Sequence, residues 1–208
     1  MYAKEKRRLW QEFPLEKVAE ATEEVWRAYE DGGTIFACGN GGNAAFASNL
    51  TNDFSTLPFM SDSKNVVTAS SQPRLRAISL SDSSTTITAL MNDLGPEYIF
   101  SEQLKLHNVG KNDVLFAFSG SGNSGNVLEA VAVARSVGAT VVGLSRGDGG
   151  KLQGVVDIGI IIPGTSQFPG QVGGNNFNFH YEDALSAIAH MISGILKQRV
   201  DEKIKIAA

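Results

Sequence analysis

The chain holds a single cysteine, Cys38, among 208 residues. An internal disulfide is therefore excluded, and a reducing compartment is the simplest setting. Cys38 lies in an apolar stretch, where a small buried side chain competes with the reading of a reactive thiol. Aromatic residues make up 8% of the chain and prolines number six. Basic runs are missing, and lysine plus arginine (18) fall short of aspartate plus glutamate (22), a net charge of −4. That balance argues against nucleic acid as the main ligand. Long apolar runs are missing too, so no membrane span is expected. The first ten residues are charged and lead into a helical pattern, so a secretory leader is not expected and a cytoplasmic location is. Hydrophobic residues still reach 42%, ample for a core.

What is present is a regular alternation. Short apolar runs at 34–38, 76–80, 114–118, 140–144 and 158–162 read as five buried strands. Helical spacing falls between them at 43–54, 84–94, 97–107 and 124–137, and a last helix is expected from Phe179 to Arg199. Strand–helix alternation predicts βαβ units and a parallel sheet covered on both faces, with ligands at the carboxyl ends of the strands. The length suits one α/β domain over residues 1–208 with an N-terminal helical extension over 1–31, divided or bent at Pro14 and stopped by Asp31-Gly32-Gly33. The apolar character of that extension suggests contact with another subunit as well as the sheet. Two stretches break the rhythm. Residues 57–74 are serine-rich and bounded by prolines, which reads as a flap or long loop, and 163–178 is rich in glycine and asparagine.

Two junctions carry the chemistry. The run Ser119-Gly120-Ser121-Gly122-Asn123-Ser124 follows a strand and opens a helix. Such a junction aims backbone N–H groups and the positive end of a helix dipole at one place, and the serines add hydroxyl donors. A phosphate monoester is the natural guest. Asn40-Gly41-Gly42-Asn43 makes a second strand–glycine loop–helix junction after the first strand. On parallel strands both would open at the same edge of the sheet. Neither has the spacing of a Walker A loop or a dinucleotide fingerprint. Asn49 and Asp53 fall one helical turn apart, where a solvated helix-end acid is the plain alternative. Asp93 reads as a helix-terminating turn or an acidic cap. On the last helix, Glu182 and His190 project from nearly the same face two turns apart, alongside His180 and Asp183. His190 sits among apolar neighbours, so a buried core histidine competes with a proton-transfer role. His107 reads as surface. Arg146-Gly-Asp-Gly-Gly-Lys151 reads as a tight chain reversal with exposed charges.

Together, Cys38-Gly-Asn-Gly-Gly42, Ser119 to Asn126 with Val127-Leu-Glu-Ala130, and Gly147-Asp-Gly-Gly-Lys-Leu152 resemble the sugar isomerase (SIS) domain proteins, specifically the phosphoheptose isomerase branch. The resemblance spans nearly the whole chain. It implies a flavodoxin-like three-layer αβα sandwich with a five-stranded parallel sheet, and a homotetramer with active sites at subunit interfaces. The implied activity is aldose–ketose isomerisation of a sugar phosphate, sedoheptulose 7-phosphate to D-glycero-D-manno-heptose 7-phosphate, through an enediol(ate). The implied alternative is a non-catalytic sugar-phosphate sensor or oligomeric adaptor, as in a branch that associates with a replication initiator. Carried over by position, Ser119, Gly120, Ser121, Asn123 and Ser124 form the phosphate loop, Asn40, Gly41, Gly42 and Asn43 the first glycine loop, and Asp93 a substrate contact. Asp53 and His190 take the catalytic positions. Glu182 takes a substrate or metal position. This chain has Asp53 for a family glutamate, Glu182 for a glutamine, Asn43 for a serine and Gly120 for a threonine. Asn49 stands for a histidine that binds zinc in some relatives and is itself a poor ligand. No cofactor is required by the sequence, and zinc is an open possibility with Asp53, Glu182 and His190 as candidate ligands.

Overall fold

The computed structural model describes residues 1–60, 73–162 and 178–207. The flagged 57–74 and 163–178 stretches therefore lie largely outside the described residues. At the near edge of the first, Leu57–Phe59 forms a single 3₁₀ turn with Pro58 and Phe59 buried.

Five strands, β1 (Thr34–Gly39), β2 (Arg76–Ser79), β3 (Val114–Phe118), β4 (Thr140–Arg146) and β5 (Ile158–Ile162), form one sheet in the order β2-β1-β3-β4-β5. Every pairing is parallel, as the alternation with helices requires. Strand residues of alternate parity feed two separate cores. Ile35, Ala37, Phe116, Phe118, Val142 and Leu144 pack under α2 (Leu15–Glu30), α3 (Gly42–Thr56) and α8 (Asn178–Ala207). Phe36, Cys38, Leu115, Ala117 and Val141 pack on the other face with α5 (Ser101–Leu106) and α6 (Gly125–Ser136). The architecture is the expected αβα sandwich. Of the remaining helices, α4 (Ser84–Asp93) stays at the surface with Met91 exposed, and α7 (Gly150–Gln153) is a single turn.

The N-terminal extension divides at Pro14 into α1 (Tyr2–Gln11) and α2, because proline supplies no N–H to continue the ladder. The helix expected over 97–107 is interrupted instead. Pro96–Tyr98 makes a 3₁₀ turn and α5 restarts at Ser101, since the fixed φ of Pro96 and the reversal at Gly95 set a tighter first turn. The last helix runs past Arg199 to Ala207, where Lys197–Asp201 at 2.7 Å and Lys203–Glu30 at 3.5 Å support its exposed end. Among the described residues, no helix is long and apolar enough to cross a membrane.

Cys38 is fully buried in β1, and burial pushes its thiol pKa up to about 12. At pH 8 the folded protein should stay unmodified by a thiol reagent for as long as it remains folded, whereas the protein in denaturant should take up one equivalent promptly. Rapid labelling of the native state would contradict this packing.

Candidate active site

The sheet order reverses direction between β1 and β3, so the connections after these neighbouring strands diverge and leave a crevice at their carboxyl ends. Gly39 pairs with Phe118, so the two strands end level and their loops begin side by side. The loops are tied together. Asn40 and Asn126 exchange amide hydrogen bonds in both directions, each at 2.9 Å. Both following helices, α3 and α6, lack a side-chain cap; at α3 the Asn43 and Ala44 N–H groups turn back onto the Asn40 and Gly41 carbonyls at 3.1 and 3.0 Å, whereas the α6 N-terminus opens beside Ser124. Two helix N-termini thus converge where a phosphate dianion is favoured. A hollow of about 290 Å³ there is lined by Asn40, Pro96, Glu97, Ser124, Gly125 and Asn126. Glu97 was not singled out from the sequence. It arrives because the turn at Pro96–Tyr98 sets it over the N-terminus of α6, a placement that no local pattern encodes.

The serine loop is braced from within and from behind. The Ser119 hydroxyl is buried and donates to Ser124 Oγ at 3.0 Å, while Ser124 N–H donates back to Ser119 Oγ at 3.3 Å. Ser121 is exposed, and its hydroxyl accepts from the Asn123 N–H at 3.2 Å. Gly120 is buried. The Gly147–Lys151 segment is more than an exposed reversal. It packs on the serine loop, with Leu152 N–H donating to the Gly122 carbonyl at 2.9 Å and Lys151 N–H to Asn123 Oδ1 at 3.2 Å. Gly122 has φ +66°, and a Cβ there would lie 1.9 Å from the Gly149 carbonyl oxygen.

A second group of side chains lies along the groove between α3 and α8. Asp53 is only 8% exposed and sits 3.8 Å from His190 Nε2. It accepts a hydrogen bond from Asn49 Nδ2 at 3.3 Å, so the one-turn spacing does place them together. Asp53 is thus not a solvated helix-end acid. His190 is not a core histidine either. Its side chain is 65% exposed, because α8 turns Ile188, Ala189 and Ile192 inward and leaves position 190 on the outer edge. At the other end of the groove, the Glu182 carboxylate lies against Gly42, and a Cβ at Gly42 would be 2.7 Å from Glu182 Oε1. Burial, then the charge of Asp183, raises the Glu182 pKa above the ordinary carboxylate value. Asn43, next to Gly42 in sequence, has a buried Oδ1 with no hydrogen-bond partner among the described residues. Asp93 ends α4 in an exposed position, taking a hydrogen bond from the Asn92 amide at 2.8 Å. The surface reading of His107 agrees with its exposure.

The donor set does not fit a metal site in this arrangement. Among the described residues no three His, Cys, Asp or Glu side chains come together as a metal-binding group. Asp53 and His190 pair, whereas Glu182 is turned to Gly42.

The model of the SIS domain matches residues 1–146. Phosphoheptose isomerase of Helicobacter hepaticus is 38% identical over 150 residues, 70% of this chain and 69% of that protein. Phosphoheptose isomerase of Proteus mirabilis is 32% identical over 196 residues, 92% of this chain and 86% of the other. The solved structure of a phosphoheptose isomerase from Neisseria gonorrhoeae superposes with a TM-score of 0.76 at 25% identity, covering 95% of each chain. Fold and loops define the class, a phosphosugar isomerase built on a five-stranded parallel sheet. The chain belongs to the SIS domain family, in its phosphoheptose isomerase branch.

Because Gly122 is both left-handed and in backbone contact with Gly149, Gly122→Ala should destabilise the fold by about 3 kcal/mol through combined strain and overpacking. Chemical denaturation would read this. A variant as stable as the parent would contradict the close approach of the two loops.

Proposed function

We propose that this chain interconverts a ketose phosphate and an aldose phosphate, with sedoheptulose 7-phosphate and D-glycero-D-manno-heptose 7-phosphate as the pair. The observation that carries the reading is the convergence of the α3 and α6 N-termini, tied by Asn40 and Asn126, at the strand-order reversal. That arrangement suits a dianion at the end of a substrate and leaves the carbonyl end for acid–base chemistry elsewhere. The exposed Ser121 hydroxyl and the half-buried Ser124 add donors around the phosphate. Ser119 acts by holding Ser124 in place.

Isomerisation moves a proton between C1 and C2. Asp53 and His190 are the acid–base pair. One member takes the proton from the carbon next to the carbonyl while the other delivers a proton to the carbonyl oxygen. The enediol so formed then loses its other hydroxyl proton and regains a carbon-bound one, giving the aldose. Asn49 holds the Asp53 carboxylate in line. Glu182, with its raised pKa, orients the sugar hydroxyls near Gly42.

The assembly proposed is a homotetramer whose sites combine residues of neighbouring copies. Asp53 lies three turns into α3, on the order of 16 Å along the axis from Gly42. A seven-carbon phosphate ester at full stretch reaches on the order of 10 Å. The phosphate loop of one copy paired with the Asp53–His190 pair of another suits that length better.

Turnover of the heptulose phosphate tests the proposal. Asp53→Asn and His190→Ala should each lower kcat by about 10²–10⁴-fold, with inorganic phosphate affinity kept. Mixing and reassembling His190→Ala with a phosphate-loop variant, Ser124→Ala, should restore part of the lost activity. Full turnover in both Asp53→Asn and His190→Ala would overturn the roles. Sugar-phosphate binding without turnover in the parent would replace the enzyme with a sugar-phosphate-binding module.

A further inference from the structure

The start of α8 is gripped by α1. His180 is 3% exposed, although histidine at the head of a helix is ordinarily solvated. Its ring stacks on Tyr2 with centroids 4.1 Å apart. Its Nε2 lies 3.0 Å from the Glu5 carboxylate. Asp183 takes hydrogen bonds from the Tyr2 hydroxyl at 2.6 Å and the Lys6 ammonium at 2.8 Å. Burial works against ionisation of Asp183, but these bonds and the Lys6 charge outweigh it and hold its pKa below the ordinary value. Tyr2, Glu5 and Lys6 share one face of α1, being spaced by three and four residues. Between the two gripped residues, Tyr181 turns inward and donates to the Leu144 carbonyl at 3.0 Å. Residues 180 and 183 are thus both held by α1, and residue 181 by β4. Glu182, the one between them that faces the site, lies over Gly42, beside a cavity of about 420 Å³ lined by Tyr2, Phe46, Phe179, Glu182 and Asp183.

We propose that α1 is a positioning strap for the active site. Glu5 acting through His180, and Tyr2 and Lys6 acting through Asp183, set the first turn of α8 so that the Glu182 carboxylate meets the sugar end of the substrate. The proposal rests on the reading that Glu182 contacts substrate. Hydrogen-bonded groups at both flanks, the buried His180 and the half-buried Asp183, restrict Glu182 far more than its own half-exposed side chain would. Misplacement of a positioning group by about 1 Å is enough to cost on the order of 10²-fold in rate.

The test uses the full chain with Tyr2→Phe, which keeps the ring against His180 and removes only the hydroxyl, and with Glu5→Gln, which keeps size and hydrogen bonding. Tyr2→Phe combined with Lys6→Met should lower kcat/KM for the ketose phosphate by on the order of tenfold or more. Inorganic phosphate affinity and the thermal midpoint should stay unchanged. In that background Glu182→Gln should cost little more, because both changes remove the same placement. Glu5→Gln should keep most of the activity that Glu5→Ala loses. Unchanged kcat/KM, or a fall matched by weaker phosphate binding, would overturn the strap. If the parent shows no turnover, the functional reading itself fails, and amide hydrogen exchange decides the strap separately. Faster exchange confined to residues 179–190 in Tyr2→Phe/Lys6→Met supports it, and unchanged exchange overturns it.

Discussion

A reciprocal pair of side-chain amides, Asn40 and Asn126, joins the loops that leave β1 and β3. The proposed phosphate site depends on that junction. The sheet reverses its order between these strands, so the chain departs to opposite faces and would leave an open cleft. The amide pair closes the cleft's rim and sets the amino ends of α3 and α6 together. Two partial positive charges, of about half an elementary charge each, then face the same small volume. A dianion placed there needs no arginine, and none lines the hollow beside the loops.

Backbone proximity, more than side-chain donors, sets the shape of this site. Gly122 lets the serine loop rest on the Gly149 carbonyl, and Gly42 lets Glu182 close on the head of α3. At each position a methyl group would occupy space already taken. The serines divide between two tasks. Ser119 and Ser124 hold the loop to itself, and Ser121 stays at the surface. Glu97 and Glu182 introduce carboxylates around the proposed phosphate site, a balance that favours a neutral, hydroxyl-rich body behind the anion over a second phosphate.

Strands and loops were legible because they depend on short-range patterns. Five apolar runs became five strands, with β3 and β5 matching at both ends, since a buried parallel strand is apolar along its whole length. The Asn49–Asp53 contact followed from helical spacing alone. What escaped was set by distant partners. His190 looked buried among apolar neighbours, yet the face it occupies was decided by where α3 and the sheet received α8. His180 carried no local signal, and it is buried because α1, nearly the whole chain away, lies over it. The break at Pro96–Tyr98 and the added turns of α8 beyond Arg199 likewise reflect a turn geometry and ion pairs with α2.

The two ends of the proposed site are therefore held differently. The phosphate end is fixed by backbone and lies at the crossover of the sheet. The acid–base end lies along the α3–α8 groove and depends on how α8 is seated. A crystal structure of the protein with a bound ketose phosphate tests the central claim most directly. The account predicts phosphate density against the first-turn N–H groups of α6 and the Ser121–Ser124 segment, with Asn40 and Asn126 still bonded across the rim. Phosphate bound elsewhere on the sheet edge, with the Asn40–Asn126 junction empty of ligand, would contradict it.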